Sequence, residues 1–190
     1  MCEGYRKILS LCDYSGTWSE PYLRAGYEVK RIDLQGNGQD VRLLEKESNV
    51  HGILAAPPCT CFASSGAWVK RTDEDMIEAL SVVDACIRIA WACRPKWWVI
   101  ENPVGTLARY LGKPKMYFNP CDFGDPYTKK TCLWGEFTPP HPLLLGELRN
   151  VDPVLGNKPI MQYGGKSLKT KNARSVTPAG FAKAFFDVNP

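Results

Sequence analysis

The apolar positions of this chain fall into short runs set apart by turn residues, and their period switches between two and about 3.6 along the sequence. Arg6 to Cys12 (RKILSLC) reads as a first strand, and Asp13-Tyr14-Ser15-Gly16-Thr17 as the turn after it. Ser19 is placed to cap a short helix with Pro21 in its first turn, and Gly26 to end it. Tyr27 to Asp33 alternates as a second strand and leads into the Gly-rich loop LQGNGQDVRLL. Gly52 to Ala56 is a short apolar run, a buried strand. Thr72 and Asp75 have capping-box spacing and open the longest helix. Met76, Leu80, Val83, Ile87 and Trp91 share one helical face, and Pro95 closes the helix. KWWVIEN is a further buried strand, Pro103 breaks it, and Val104 to Leu111 reads as a short helix. From Gly112 onward prolines and turns dominate, residues 135 to 173 show no strong helical pattern, and TPAGFAKAFFDVNP closes the chain as a short helix. Strands alternating with helices predict an α/β fold: an open, mostly parallel sheet with helices on both faces.

Composition narrows the class. At 190 residues, 44% hydrophobic and 23% charged, the chain predicts one globular domain with at most a small appendage. No apolar run reaches the ~18 residues of a membrane span. The opening MCEGYRKILSLCDYSG lacks the features of a secretory signal, so a cytoplasmic location is expected. Thiols stay reduced there, which argues against disulfides among the eight cysteines. Cys59 and Cys61 form a CxC pair with no second pair beside it, and His51 and His141 are far apart, so no metal site is expected. A net charge of +4 permits nucleic-acid binding without requiring it.

The chemistry concentrates at strand ends. Asp13, Asp33, Asp40, Cys59 and Glu101 each follow an apolar run, and in such sheets the ligand lies beyond the carboxyl ends of the strands. An acid at the end of the second strand suits a ribose diol. The turn at Asp13–Thr17 would add backbone N–H groups, but its single glycine is not a phosphate cradle, so a nucleoside without pyrophosphate fits better. Cys59, on a loop stiffened by Pro57 and Pro58, is a nucleophile candidate, because a thiolate adds to electron-poor carbon far better than a hydroxyl does. Glu101 could reach the same substrate or could cap the following helix. Lys166, Lys169, Lys171 and Arg174 form a basic tract, either a phosphate contact or a solvated loop. Trp97 and Trp98 lie in a strand and read as core, whereas Trp68, on the loop after Cys59, is the better candidate for touching substrate.

Five segments resemble the DNA (cytosine-5) methyltransferases, in that family's order, from residue 8 to about 186. PPCTCF resembles the PPCxxFS signature, IENP the ENV signature, and FGDPYTKKTCLWG the segment ending in QxRxR. RSVTPAGFAKAFF resembles the late RxLTPxE segment, and SLCDYSGTWSEPYLRAGYEV the first strand, cofactor loop and helix. The short phage- and prophage-type members are the most similar. The resemblance implies a Rossmann-like methyltransferase fold that uses S-adenosylmethionine to methylate cytosine C5 in DNA, in the cytoplasm of a bacterial or phage-infected cell. It implies that Cys59 adds to cytosine C6, that Glu101 bonds the N3 edge, and that Lys129 supplies the charge of the QxRxR segment. It places the cofactor among Asp13, Tyr14, Ser15, Gly16, Thr17, Trp18, Asp33, Leu34, Asp40, Val41 and Pro57. It places substrate or DNA contacts at Asn102, Trp68, Thr131, Lys166, Lys169, Lys171 and Arg174, on a duplex with its base flipped out or on a single strand. Where the family has FxGxG this chain has Cys12-Asp13-Tyr14-Ser15-Gly16, and Gly180 stands where the family has an acid. The expected organisation is a catalytic core over 1–134, a reduced target-recognition region over 135–173, and a segment over 174–190 that returns to the core. So small a recognition region implies short or relaxed specificity, or a protein partner that supplies it. The alternatives are C5 modification of a free pyrimidine nucleotide or RNA, and a catalytically silent nucleic-acid-binding relative.

Overall fold

The computed structural model describes residues 6–143 and 167–190. Its centre is a six-stranded sheet in the order β2-β1-β3-β4-β6-β5. The strands are β1 (Lys7–Leu11), β2 (Glu28–Ile32), β3 (Val50–Ala55), β4 (Trp97–Pro103), β5 (Met116–Phe118) and β6 (Thr131–Glu136). The β2-β1-β3-β4 portion is parallel, and β6 runs antiparallel between β4 and β5. The predicted mostly parallel sheet is present, and the strand order reverses direction between β1 and β3.

Helices cover both faces. On one side lies α2 (Asp73–Cys93), whose Val83, Cys86, Ile89 and Ala90 pack on Leu9, Leu11, Ile53 and Ile100. On the other lie α1 (Glu20–Arg24) and α5 (Ala179–Val188), around an aromatic cluster of Trp18, Tyr22, Trp97, Phe118, Phe181 and Phe185. Phe118 and Phe181 stack at 3.9 Å. Two short helices, α3 (Ala108–Leu111) and α4 (Leu168–Ser175), complete the described elements.

The capping box of α2 forms as its spacing predicts: Asp75 N–H donates to Thr72 Oγ1, and Thr72 N–H to the Asp75 carboxylate. The buried face of α2 departs from expectation at one position. Val83 is fully buried, and Met76, Leu80 and Ile87 pack partly buried against the core, whereas Trp91 is 73% exposed. Near that end the helix instead buries Ala85, Cys86, Ile89 and Ala90. The basic tract also differs, because its second half is helical as α4 rather than a loop. The expected domain boundary at 134 falls inside β6, and Phe137 just beyond it is buried. Thr138 and Asn189 exchange hydrogen bonds of 2.7 and 2.8 Å, tying the end of this strand to the end of α5. Among the described residues no helix is long and apolar enough to cross a membrane.

Candidate active site

The carboxyl ends of β1, β3 and β4 converge on one narrow cavity of about 50 Å³, where the strand order reverses. Asp13, Tyr14 and Ser15 enter from the turn after β1, and Pro57, Pro58 and Cys59 from the loop after β3. Glu101 comes from β4, Lys129 from just before β6, and Ser175 and Thr177 from the end of α4 and beyond. Residues 129 and 101 meet because antiparallel pairing sets β6 beside the carboxyl half of β4.

The Cys59 loop is fixed from several sides. Asn102 is fully buried, and its Nδ2 donates to the Pro57 carbonyl at 2.9 Å. Phe62 is buried beneath the loop, and Ala63 pairs with Gly105 in a β-bridge that extends β4. Thr106 N–H donates to the Phe62 carbonyl at 2.8 Å, and Ser64 N–H to Val104 at 3.0 Å. A Cβ on Gly105 would collide with the Phe62 carbonyl, so only glycine permits this approach.

Cys59, Glu101 and Lys129 line the same cavity, Glu101 buried and the other two partly buried. Lys129 Nζ lies 4.0 Å from Glu101 Oε1 and donates to the Arg174 carbonyl at 3.3 Å. Burial pushes the Cys59 thiol up; Lys129 pulls it back down, Glu101 pushes it further up, and Arg174 pulls it down. Burial also pushes the Glu101 carboxyl up, against the downward pull of Lys129. The carboxyl is therefore biased toward a proton-carrying form, able to donate a hydrogen bond at a pH where an exposed glutamate could only accept one. Arg174 bridges to the loop after Cys59, with its guanidinium 3.4 Å from Ser65 Oγ.

The turn after β1 is built on Asp13 rather than on repeated glycines. The buried Asp13 carboxylate accepts from Ser10 Oγ at 2.8 Å, Ser19 Oγ at 3.1 Å, Ser15 Oγ at 3.3 Å and Gly16 N–H at 2.8 Å. Cys12 before it takes a left-handed backbone with φ 58°, and Gly16 has φ 71°. The knot thus holds a sharp reversal that the family's glycines would otherwise allow. Ser10 and Ser19 are contributions missed in the sequence; the available signal was a serine inside the apolar run of β1, three residues before an acid.

Several expected site residues take other roles. Asp13 is consumed by its own turn. Trp18 is fully buried against Phe181 and Phe185, so it is core and does not face the crevice. Val41 is buried on the α2 side of the sheet. Asp40 is held in a two-pronged ion pair with Arg42, whose guanidinium keeps its carboxyl below the usual range, and it caps the short turn Val41–Leu43. Asn102 and Thr131 are buried: Asn102 supports the Cys59 loop, and Thr131 Oγ1 donates to the Lys129 carbonyl at 2.8 Å. Both were expected to touch substrate because their motif neighbours do, but strand alternation turns them inward.

The remaining expected residues are placed as follows. Asp33 sits at the end of β2 with Oδ1 accepting from Gln35 N–H and Gly36 N–H, and Leu34 beside it is 59% exposed. Thr17 donates its N–H to Ser15 Oγ at 3.2 Å. Trp68 stands 80% exposed beyond Cys59. Lys169 and Lys171 lie on α4, and Lys166 lies outside the described residues. Gly180, where the resemblance leads one to expect an acid, donates its N–H to Asp125 Oδ2 at 3.1 Å, and a Cβ there would strike the Phe123 carbonyl. Asp125 supplies the negative charge at the start of α5 instead.

The donor set fits S-adenosylmethionine in part. Asp33 with the exposed Leu34 could hold a ribose and one face of an adenine, and the Asp13–Gly16 turn offers backbone groups. Asp40, Val41 and Trp18 are committed elsewhere. No protein-family model matches the chain, and no curated protein matches it. Among solved structures the chain is similar to a candidate DNA modification methyltransferase encoded within an E. coli prophage. That match has a TM-score of 0.51 at 16% identity, covering 69% of this chain and 46% of the other. The chain thus shares the Rossmann-like fold of that neighbour and spans less than half its length.

Proposed function

We propose that this chain methylates cytosine at C5 in DNA, using S-adenosylmethionine and covalent addition of Cys59 to cytosine C6. The observation that carries this reading is the meeting of Cys59, Glu101 and Lys129 in one cavity at the strand-order reversal. Cytosine C5 is too weak a nucleophile to accept a methyl group unaided. Addition of the Cys59 thiolate to C6, with a proton delivered to N3 from Glu101, makes C5 an enamine carbon. Asp33, Leu34 and the Asp13–Gly16 turn would hold S-adenosylmethionine, which would supply an electrophilic methyl group. Loss of the C5 proton to a base then expels the Cys59 thiolate, and return of the N3 proton to Glu101 restores the neutral aromatic ring.

The side chains supply the electrostatics for each step. Lys129 favours the thiolate over the thiol, and burial pushes the Glu101 carboxyl up, toward holding the proton that N3 needs, so that negative charge does not build on the ring. A cavity of about 50 Å³ is far below the ~300 Å³ of a typical ligand pocket, so a pyrimidine enters only if the walls part. The Arg174–Ser65 contact ties the end of α4, whose Ser175 lines the cavity, to the loop after Cys59. The similar prophage structure supports DNA as the substrate class.

The test is transfer of labelled methyl groups from S-adenosylmethionine to duplex DNA, single-stranded DNA, RNA and cytidine nucleotides, with digestion to nucleosides. The reading expects 5-methylcytosine from DNA. Product only from RNA or nucleotide would move the substrate, and no product with saturable DNA binding would leave the silent-binder alternative.

A further inference from the structure

A second, larger groove lies at the opposite edge of the sheet, where the strands begin. Its volume is about 580 Å³, within the ~300–1,000 Å³ of small-ligand sites. It is lined by Arg6 and Lys7 at the start of β1, His51 at the start of β3, and Arg94 and Lys96 between α2 and β4. Glu28 at the start of β2 is its only carboxylate among the described lining residues.

The cations are braced but poorly neutralised. Lys7 is shared between Glu28 at 3.4 Å and Glu47 at 3.2 Å. Arg6, Arg94 and Lys96 have no ion-pair partner among the described residues. Arg6 donates to the Tyr27 hydroxyl at 3.2 Å and lies over that ring, and the same ring meets His51 edge-on at 5.9 Å. Arg94 ends α2 in a left-handed conformation, φ 48°, and Asn49 turns into β3 with φ 59°. Lys96 N–H donates to the His51 carbonyl at 2.9 Å, locking the Arg94–Lys96 link to β3. Neighbouring strands sit ~4.8 Å apart, so these side chains start from points within ~10 Å of one another. Like charges gathered this closely repel, and an anion between them removes the repulsion.

We propose that this groove binds a compact oligophosphate anion of nucleotide size. Three uncompensated cations offset most of the negative charge of a triphosphate. Glu28 and Glu47 close the β2 end, where a continuing phosphodiester chain would meet negative charge. The site is independent of the crevice at Cys59, which lies at the other ends of the same strands.

The experiment is calorimetric titration of the full chain with tripolyphosphate, ATP and a short single-stranded oligonucleotide, each with and without S-adenosylmethionine. Tripolyphosphate and ATP should bind saturably and without competition from S-adenosylmethionine. Arg94→Ala combined with Lys96→Ala should weaken them at least about tenfold, and Glu28→Gln should tighten them, with melting temperatures confirming that both variants fold. Absence of saturable binding up to about 1 mM would overturn the proposal, as would full affinity in the double variant. Binding of the oligonucleotide alone, sensitive to the same substitutions, would also overturn it, since the groove would then hold a nucleic-acid backbone.

Discussion

The two halves of the crevice use acidic and nucleophilic side chains in opposite ways. On the Cys59 side the reactive groups are directed into the cavity, and the fixing is done by others: Asn102, Phe62 and the Ala63–Gly105 bridge. On the Asp13 side the carboxylates themselves do the fixing. Asp13 ties four donors, Asp40 holds Arg42, and Asp33 commits one oxygen to its own loop. An acid at a strand end can therefore serve a ligand or its own turn, and its position alone does not distinguish the two. A thiol beside a buried carboxyl and a buried lysine has far fewer structural uses.

The sharpest break in that comparison comes from Cys59→Ser. Methyl transfer should fall to background, a loss of about 10⁴-fold or more, with the melting temperature moved by less than about 2 °C. Glu101→Gln should follow, lowering turnover about 10²–10³-fold. Its stability effect has a definite sign. Folding raises the affinity of Glu101 for its proton, so its contribution is full below the ordinary glutamate pKa and is lost as pH rises through the raised folded value. Melting curves from acid to neutral pH should show that loss in the wild type and a smaller one in Glu101→Gln.

Asp13→Ala should act in the reverse manner, mainly on the fold. Stripping the partner from the buried Ser10 and Ser19 hydroxyls should cost about 2–3 kcal/mol in chemical denaturation and weaken S-adenosylmethionine binding, while saturating cofactor restores turnover. Lys129→Ala should slow turnover about tenfold at neutral pH. Removing the downward pull on the Cys59 thiol shifts the rising limb of the pH–rate profile to higher pH, and Lys129→Arg should move it back. The smallest effect is expected from Asp40→Asn. Cofactor affinity should change less than about threefold, and the partly exposed pair with Arg42 should be worth no more than about 1 kcal/mol. A large loss of cofactor affinity there would erase the contrast between the two halves.

The sequence carries the fold through strong local signals. The apolar runs of β1, β3 and β4 and the Thr72–Asp75 capping box appear where their patterns place them. Cys59 and Glu101 are legible because one follows a buried strand and the other lies in the carboxyl half of the next, and parallel strands bring those ends together. Trp18, Asn102 and Thr131 are all buried, which their place in a motif does not reveal, because motif adjacency says nothing about which way a side chain turns. The Asp13 knot was illegible for a different reason: it joins Ser10, Ser15 and Ser19 across a strand, a turn and a helix start. The exposed Trp91 shows a related limit: the apolar stripe places Val83 in the core but does not reveal that its last member faces out.

Covalent trapping tests the central claim most directly. The chain is incubated with S-adenosylmethionine and DNA in which cytosine is replaced by 5-fluorocytosine, whose C5 fluorine cannot leave as a cation. A stable protein–DNA adduct whose linked peptide maps to Cys59, and which is absent in Cys59→Ser, is the predicted result. Methylation of ordinary DNA with no adduct, or an adduct on another residue, would contradict it.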